Sequence, residues 1–446
     1  MVPSIAQEYS SKPVHNLEPG LQDGQEDQGH VRPSDIAVGV VIGRTSEYFD
    51  FFVYGLASVL VFPSVFFPFE ARLEGTLYSF IIFSFAFIAR PIGSSIFMAI
   101  QRRWGRGVKL TTALVLLGAS TAGMAFLPGY SSIGFSAIVL LSIFRFVQGI
   151  ALGGSWDGLP SLLALNAPPT RRGWYAMTGQ LGAPIGFMAA SGLFLFLHSN
   201  LSSADFLDWG WRYPFYVAFA INVVALFARL QLVVTDEFTK LLEDRELEPT
   251  GTIELVRSQG YNVFIGAFAA LASYALFHLV TVFPLSWITI HSTQPVNDVL
   301  EVQIYGGAIG IVGVVASGLI ADRIGRRNTL GLLACLIAVF SFFAPMLLGG
   351  SPAQQDTFIL VGFALLGLSY GQAAGAVTAN FAAKFRYTGA ALTADVAWLI
   401  GAAFAPLVAL GLSAHFGLGY VSVYLLSGAI CTLAALRVNR ALEVRD

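Results

Sequence analysis

The chain carries few charges and almost no cysteine. Asp, Glu, Lys and Arg make up 12% of its 446 residues, whereas apolar residues make up 55%. A soluble protein of this length needs a charged surface, and this charged share is about half of the usual one. The two cysteines both lie inside apolar runs, so we expect neither a disulfide framework nor a metal site. We also expect no cofactor and no nucleic-acid partner.

Residues 1–34 lack any apolar run and are rich in Gln, Glu, Asp, Gly and Pro. A secretory signal peptide needs an apolar core, so we do not expect this segment to be one. Such a segment also cannot bury enough apolar surface to fold by itself. We therefore expect a disordered cytoplasmic tail at 1–34.

The rest of the chain holds about twelve apolar runs, each near the roughly 20 residues that cross a bilayer as a helix. A segment that mixes charges of both signs separates two groups of six runs. The predicted structure is an all-α membrane protein of twelve transmembrane helices, surrounded by lipid. Its parts are a six-helix bundle at 35–233, a cytoplasmic linker at 234–259, a second six-helix bundle at 260–437 and a short cytoplasmic tail at 438–446.

A basic loop occurs at matching places in the two halves. In the second half it contains two glycines, one acid and three arginines: Gly318, Gly325, Asp322, Arg323, Arg326 and Arg327. The first half has a worn copy around Arg103, Gly105 and Arg106. An internal duplication explains this layout, and duplicated halves are typical of secondary transporters. We interpret both as gating loops, in which Asp322 can pair with an arginine or cap the N-terminus of a neighbouring helix; the arginines can equally serve only to fix topology.

Lys and Arg are concentrated in the loops on one side of the predicted bundle, and the opposite loops carry mainly acids. The positive-inside rule places the basic loops and both chain termini in the cytoplasm. The even number of predicted spans agrees with that orientation. We expect the inner membrane as the location.

Ionisable residues inside the apolar runs point most directly to function, because each is costly in lipid unless it has a partner or a wet cavity. The first run contains Arg44, Glu47 and Asp50, spaced three apart and therefore expected on one helix face. The second run contains Arg90, directly before a proline, and the fourth contains Arg145.

Two interpretations of these charges stand side by side. They can be ion pairs that hold helices together, in which case Arg44 is expected to pair with Asp157, and Arg90 with Glu47. The alternative is an aqueous cavity in which arginines bind an anionic solute while a carboxylate of the first run exchanges a proton.

Two further polar residues lie in second-half runs. Asp395 is alone in its run, so a functional role and an interhelical hydrogen bond are equally compatible with it. His278 follows Tyr274 by four residues, and we favour a hydrogen-bonded cavity wall over a proton carrier for it.

Taken together, these segments resemble a known group. The pattern Gly-x-x-x-Asp-Arg-x-Gly-Arg-Arg at 318–327 is the loop signature of the major facilitator superfamily. Further segments resemble its metabolite:proton symporter family in order and spacing over nearly the whole chain: 47–55, 90–93, 145–154, 171–173, 182–186, 211–215, 386–389 and 405–406. The resemblance implies two six-helix halves that rock about a central site and take up organic acids or betaines with protons.

The chain departs from that family at several positions. Met98 and Arg102 replace the Gly and Asp that are usual in the first-half loop, and Arg44 stands where Asn is common. The acid of the fourth helix is displaced to Asp157. We expect Arg44 and Asp157 to form a compensated ion pair that reshapes the cytoplasmic end of the cavity.

The predicted function is proton-coupled import of a small carboxylate-bearing metabolite by a monomer. Arg90 and Arg145 are expected to bind the carboxylate through charge-assisted hydrogen bonds. Three acids are the candidates for proton coupling: Glu47, Asp50 and Asp395. Four further residues are expected to complete the cavity lining: Tyr54, Gln148, Tyr274 and His278.

Two alternatives are kept open. One is a proton-independent uniporter or exporter on the same fold. The other is a membrane sensor that has lost transport, which the worn first loop would permit. An enzyme is not predicted, because the spans contain no nucleophile paired with a base and no metal-ligand cluster.

Overall fold

Residues 33–155, 163, 167–233, 248–374 and 381–438 are described by a computed structural model of the chain. Within these ranges the chain is almost entirely helical and has no β-strand. The long apolar runs account for this, because every backbone polar group in lipid must be satisfied inside its own helix.

The first half forms six long helices in the described ranges. They are α1 (Pro33–Leu60), α2 and α3 (72–104 and 106–126, the two arms of Arg72–Phe126), α4 (Phe135–Gly154), α5 (Arg172–Asn200) and α6 (Arg212–Val233).

The second half repeats the arrangement. Its helices are α7 (Thr252–Ala269 continued by Leu271–His291), α8 (Val296–Ile324), α9 (Arg326–Leu348), α10 (Pro352–Tyr370), α11 (Ala383–Phe416) and α12 (Gly419–Val438). The first segment of α7 begins inside the predicted linker and bends at Gln259, where φ is −134°.

Length and hydropathy alone identify eight membrane-crossing helices in the described residues, and the 55-residue helix Arg72–Phe126 among them holds two spans. The predicted twelve-helix fold in two halves is confirmed. The helix α1 is not among these eight, because Arg44, Glu47 and Asp50 in its middle lower its mean hydropathy. These charges therefore need partners inside the protein.

The two basic loops turn at equivalent glycines. Gly105 has φ of 86° between α2 and α3, and Gly325 has φ of 82° between α8 and α9. Only glycine adopts this left-handed region without steric strain. The same conformation at both places is the structural counterpart of the repeated sequence.

Glycines let helix backbones touch inside each half. A Cβ atom at Gly149 of α4 would lie 2.3 Å from the carbonyl oxygen of Ala86 on α2. In the second half, a Cβ atom at Gly367 of α10 would lie 2.3 Å from the carbonyl oxygen of Gly310 on α8. Close approach through small residues is the usual way in which helices associate in lipid.

The halves meet along the centre of the molecule. There α5 packs against α8, and α2 packs against α11. An apolar stretch of 18 residues within Leu271–His291 of α7 is completely buried in protein. Side chains at this central interface are thus removed from both lipid and bulk water.

Replacing Gly149 with Ala is expected to lower the thermal stability of the purified protein. The added methyl group would separate α2 from α4, and overpacking of this kind costs about 1–3 kcal/mol. Gly192→Ala is the matched control, because nothing lies within 4 Å of a Cβ atom built there. Equal unfolding temperatures for the two variants in detergent would contradict the packing argument.

Candidate functional site

A small cavity lies between the two halves at the level of the buried charges. It is lined by one cluster of side chains from α1, α2, α4 and α11: Arg44, Glu47, Tyr48, Phe51, Phe87, Arg90, Leu152 and Trp398. Its volume of about 20 Å³ is enough for roughly one water molecule. The halves must therefore separate before a metabolite can enter.

An ion pair crosses this interface. Nε of Arg90 on α2 lies 2.6 Å from Oδ1 of Asp395 on α11, and the hydroxyl of Ser94 donates to Oδ2 of the same carboxylate. The Asp395 side chain is 4% exposed and that of Arg90 is 17% exposed. The Arg90 pair predicted with Glu47 is wrong, because Asp395 of the opposite half occupies that place.

A second ion pair lies on α1 alone. Nη1 of Arg44 donates to Oε2 of Glu47 at 2.9 Å. Residues three apart on a helix are neighbours, which explains the contact. The predicted ion pair between Arg44 and Asp157 stays a prediction, since Asp157 lies outside the described residues.

The sequence interpretation that Arg44, Glu47 and Asp50 share one helix face is wrong for Asp50. Positions six apart on an α-helix differ by about 120° around its axis. Asp50 accordingly points into the first-half bundle, where it is 1% exposed. It accepts hydrogen bonds from Thr121 at 2.9 Å, from Asn222 at 3.0 Å and from Gln148 at 3.2 Å.

The amide of Gln148 connects Asp50 with Arg145. Its Nε2 donates to Asp50, and its Oε1 accepts from Nη1 of Arg145 at 2.6 Å. Arg145 is fully buried, with its guanidinium 4.0 Å from the ring centroid of Tyr54. Arg145, Gln148 and Tyr54 thus lie behind the cavity wall instead of lining the cavity itself.

Three buried polar atoms near this wall have no protein partner among the described residues: Nη2 of Arg145, Nε2 of His278 and the hydroxyl of Tyr54. The His278 ring belongs to the second half and stacks on Phe51 at 5.3 Å. Phe51 also contacts the Arg145 guanidinium, at 5.4 Å. Unsatisfied buried polar groups are costly. These groups would gain partners if the halves moved apart and water or a solute entered.

Tyr274 belongs to an aromatic cluster. Its ring lies 5.1 Å from Trp398 and 5.8 Å from Tyr370. The hydroxyls of Tyr48 and Tyr370 are hydrogen-bonded across the halves. Aromatic side chains thus close the space around the cavity.

The second-half loop closes one end of the site. Oδ1 of Asp322 accepts from the backbone N–H of Gly173 at 2.6 Å, and Oδ2 accepts from that of Trp174 at 3.3 Å. These N–H groups belong to the first turn of α5, which leaves its N–H groups without helical partners and favours an acid. The contact fits the latch predicted for Asp322, and Gly318 packs against the same turn.

The arginines of the two loops differ in their surroundings. Arg326 is 7% exposed and donates to the carbonyl of Arg172 at 3.5 Å, while Arg327 donates to the carbonyl of Leu436 at 3.0 Å. Arg323 and Arg103 are exposed, and Arg106 is half-buried. Hence the exposed Arg103 and Arg323 can serve solely to fix topology, whereas the buried Arg326 also makes a contact inside the protein.

Sequence reasoning missed the contacts of the first-half loop. Lys109 at the start of α3 is fully buried and donates to Gln101 on α2 and to the hydroxyl of Tyr387 on α11, both at 3.1 Å. The linker residue Thr250 accepts from Arg102 at 2.8 Å and donates its N–H to Thr388 at 2.8 Å. The sequence contained one signal for this difference between the two loops, because Arg102 replaces the usual acid of the first-half loop.

The halves also touch at the opposite end. His198 near the end of α5 is hydrogen-bonded to Asn297 at the start of α8, at 2.7 Å. Beside this contact lies an outer cleft of about 510 Å³ lined by Glu70, Arg72 and His198 among others. With contacts between halves at both ends, the structure holds the central cavity closed.

Residues 36–246 match the family described as sugar (and other) transporter. The inner membrane metabolite transport protein YhjE of Escherichia coli is 39% identical over 410 residues, which cover 90% of this chain and 92% of that protein. The chain belongs to the metabolite:proton symporter family of the major facilitator superfamily. It is thus a multi-pass membrane transporter of a small molecule and not an enzyme.

More distant relatives differ in what their names say they carry. The shikimate transporter of Escherichia coli is 28% identical, over 90% of this chain and 92% of that protein. The proline/betaine transporter of the same organism is 25% identical, over 84% of this chain and 76% of that protein. A structure of the xylose transporter XylE of Escherichia coli, in a partially occluded inward open conformation, matches this chain with a TM-score of 0.69 at 16% identity. The match covers 91% of this chain and 99% of that one, which shows that the two share a fold.

Replacing Asp322 with Ala is expected to open the site on the side of the basic loops, because the first turn of α5 loses its acceptor. The measurement is the labelling rate of a cysteine placed at Leu152, in a chain with Cys335 and Cys431 changed to Ser. We expect labelling at least about fivefold faster, since loss of a charge-assisted hydrogen bond weakens the closed state.

Asp298→Ala is the control for this variant. Asp298 is an exposed acid in the first turn of the same helix, at its opposite end. If Asp322→Ala labels no faster than Asp298→Ala, the latch has no part in keeping the site closed.

Proposed function

We propose that the protein imports a small carboxylate-bearing metabolite together with protons across the inner membrane, by alternating access. The observation that carries the proposal is the Arg90–Asp395 ion pair, which joins the two halves inside the membrane. Buried charges of this kind mark solute pathways and proton relays in membrane proteins.

The ion pair supplies both functions that a symporter needs. A solute carboxylate can replace Asp395 on Arg90 through a charge-assisted hydrogen bond. The released Asp395 is then a buried carboxylate without its cation, and a proton removes the cost of that charge. Solute binding takes Arg90 away from Asp395, which favours protonation of Asp395. Protonation of Asp395 frees Arg90, which favours solute binding.

Breaking the ion pair also separates the halves where they are joined. Arg90 is on α2 and Asp395 is on α11, so the loaded protein loses one contact that holds the centre closed. The latch at Asp322 and the contact of His198 with Asn297 act at the two ends. Release of one end at a time would expose the cavity alternately to the two sides.

The other buried groups have proposed roles as well. Glu47 shares the cavity with Arg90 and is the second candidate for proton exchange. Asp50 is connected to Arg145 through Gln148, so a change in its protonation would alter the position of that guanidinium. Arg145 and His278, each with an unpartnered nitrogen, would meet the solute after the cavity opens.

Orientation and assembly complete the proposal. The basic loops support a cytoplasmic position for both termini, and a relative whose name places it in the inner membrane supports that location. We propose a monomer as the functional unit, because one chain contributes both halves of the site.

Arg90→Ala is expected to abolish proton-driven uptake in proteoliposomes without loss of membrane insertion. The variant lacks the carboxylate-binding cation and leaves Asp395 without its counter-ion. Uptake of labelled organic acids is measured under an inward proton gradient, with and without a protonophore. Arg72→Ala, an exposed arginine at the outer end of the same helix, is the control. Normal uptake by Arg90→Ala would overturn the assignment.

Asp395→Asn is expected to separate solute binding from proton coupling. The amide keeps the shape of the carboxylate and its oxygen can accept a hydrogen bond from Arg90, but it cannot take up a proton. We expect exchange of labelled for unlabelled solute to continue, while accumulation driven by the proton gradient falls at least tenfold. Accumulation at the wild-type level would exclude Asp395 as the coupling acid. Flux that ignores the gradient in the wild-type protein would instead favour a uniporter.

A further inference from the structure

The described charges of the central site are balanced. Arg44, Glu47 and Arg90 line the cavity, and Asp395 pairs with Arg90 beside it. Two arginines are thus matched by two acids, as the pairs Arg44 with Glu47 and Arg90 with Asp395. Behind the wall, Arg145 is likewise matched by Asp50 through Gln148. The described site therefore offers no cation in excess of its acids.

A site for a solute with two or three carboxylates would need such an excess. Each additional carboxylate brought into a buried, low-dielectric space is costly unless a further cation meets it. Protonation of one acid of the site compensates one solute carboxylate and no more.

The remaining walls are apolar and flat. Rings of Tyr48, Phe51, Phe87 and Trp398 line the cavity, and the rings of Phe87 and Trp398 stack at 5.9 Å with an interplanar angle of 24°. Such surfaces bind compact apolar or ring-shaped bodies by burial and ring contact. They offer few hydrogen bonds to a second carboxylate.

From this charge balance and lining we infer that the solute has a single carboxylate on a compact, ring-shaped or apolar body, and that it is carried with one proton as an electroneutral pair. The inference rests on the proposed function and narrows its substrate class. It follows from the equal numbers of described cations and acids around the cavity, which a dicarboxylate would upset.

The same balance makes Glu47 a determinant of specificity. Glu47→Gln removes one negative charge with little change in shape and leaves Arg44 without its acid on α1. The site then has one cation in excess, which is the condition that a dicarboxylate needs. The variant is expected to shift preference toward dicarboxylates.

The test uses the full-length protein in liposomes with an inward proton gradient. The probes are shikimate as a ring monocarboxylate, 2-oxoglutarate as a dicarboxylate, citrate as a tricarboxylate and glycine betaine as a zwitterion. We expect shikimate to accumulate at least tenfold better than 2-oxoglutarate or citrate. A potassium diffusion potential without a pH gradient should drive no shikimate uptake, since the carried pair has no net charge.

The charge variant gives a second readout. In Glu47→Gln the ratio of 2-oxoglutarate to shikimate binding, measured by competition on the purified protein, is expected to rise at least tenfold. Glu301→Gln, the same substitution at an exposed position, should leave the ratio unchanged. An unchanged ratio in folded Glu47→Gln would overturn the role of charge balance, and the wild-type comparison stands if that variant does not fold.

The outcomes separate the two proposals. Preferential uptake of 2-oxoglutarate or citrate would overturn the single-carboxylate inference while supporting proton-coupled carboxylate import. Preferential uptake of betaine, or shikimate uptake driven by the potential alone, would overturn the electroneutral anion–proton pair. Failure of every carboxylate to accumulate under the gradient would overturn the proposed function itself, and the inference with it.

Discussion

The ion pair between Arg90 and Asp395 is the contact on which the centre of this molecule depends. It joins α2 of one half to α11 of the other in a space from which water is nearly excluded. A buried ion pair has little net effect on stability compared with apolar packing, but removing one partner leaves a costly charge behind. The pair thus acts as a switch whose two members must change together, by protonation, by solute binding or by both.

The gates around this centre are built from the same repeat but with different chemistry. The second-half loop uses an acid, Asp322, that accepts from the first turn of α5. The first-half loop has Arg102 in its place, and there the contact runs through the linker at Thr250 to Thr388 of α11. The fold keeps its pseudo-symmetry in the turning glycines, Gly105 and Gly325, while the two sides of the gate have diverged. Each side would respond to different substitutions, even though both close the same end.

Much of the architecture could be predicted because it depends on local and one-dimensional features. The length of each apolar run determines a span, the left-handed glycines mark the turns, and the repeated loop indicates two halves. The charged residues of the site could be listed for the same reason, since few ionisable groups occur inside apolar runs. Their partners could not be predicted, because the depth of a residue in the membrane does not say which way it faces.

The sequence by itself determined that this is a twelve-helix membrane protein with arginines and acids buried in its spans. Only the tertiary structure decided which charge meets which. Rotation of 100° per residue turned Asp50 away from Arg44 toward Gln148 and Asn222. Packing of α2 against α11 brought Asp395 to Arg90 from some 300 residues away. Such contacts depend on how helices are rotated and which neighbours they meet, and a pattern read along one chain contains neither quantity.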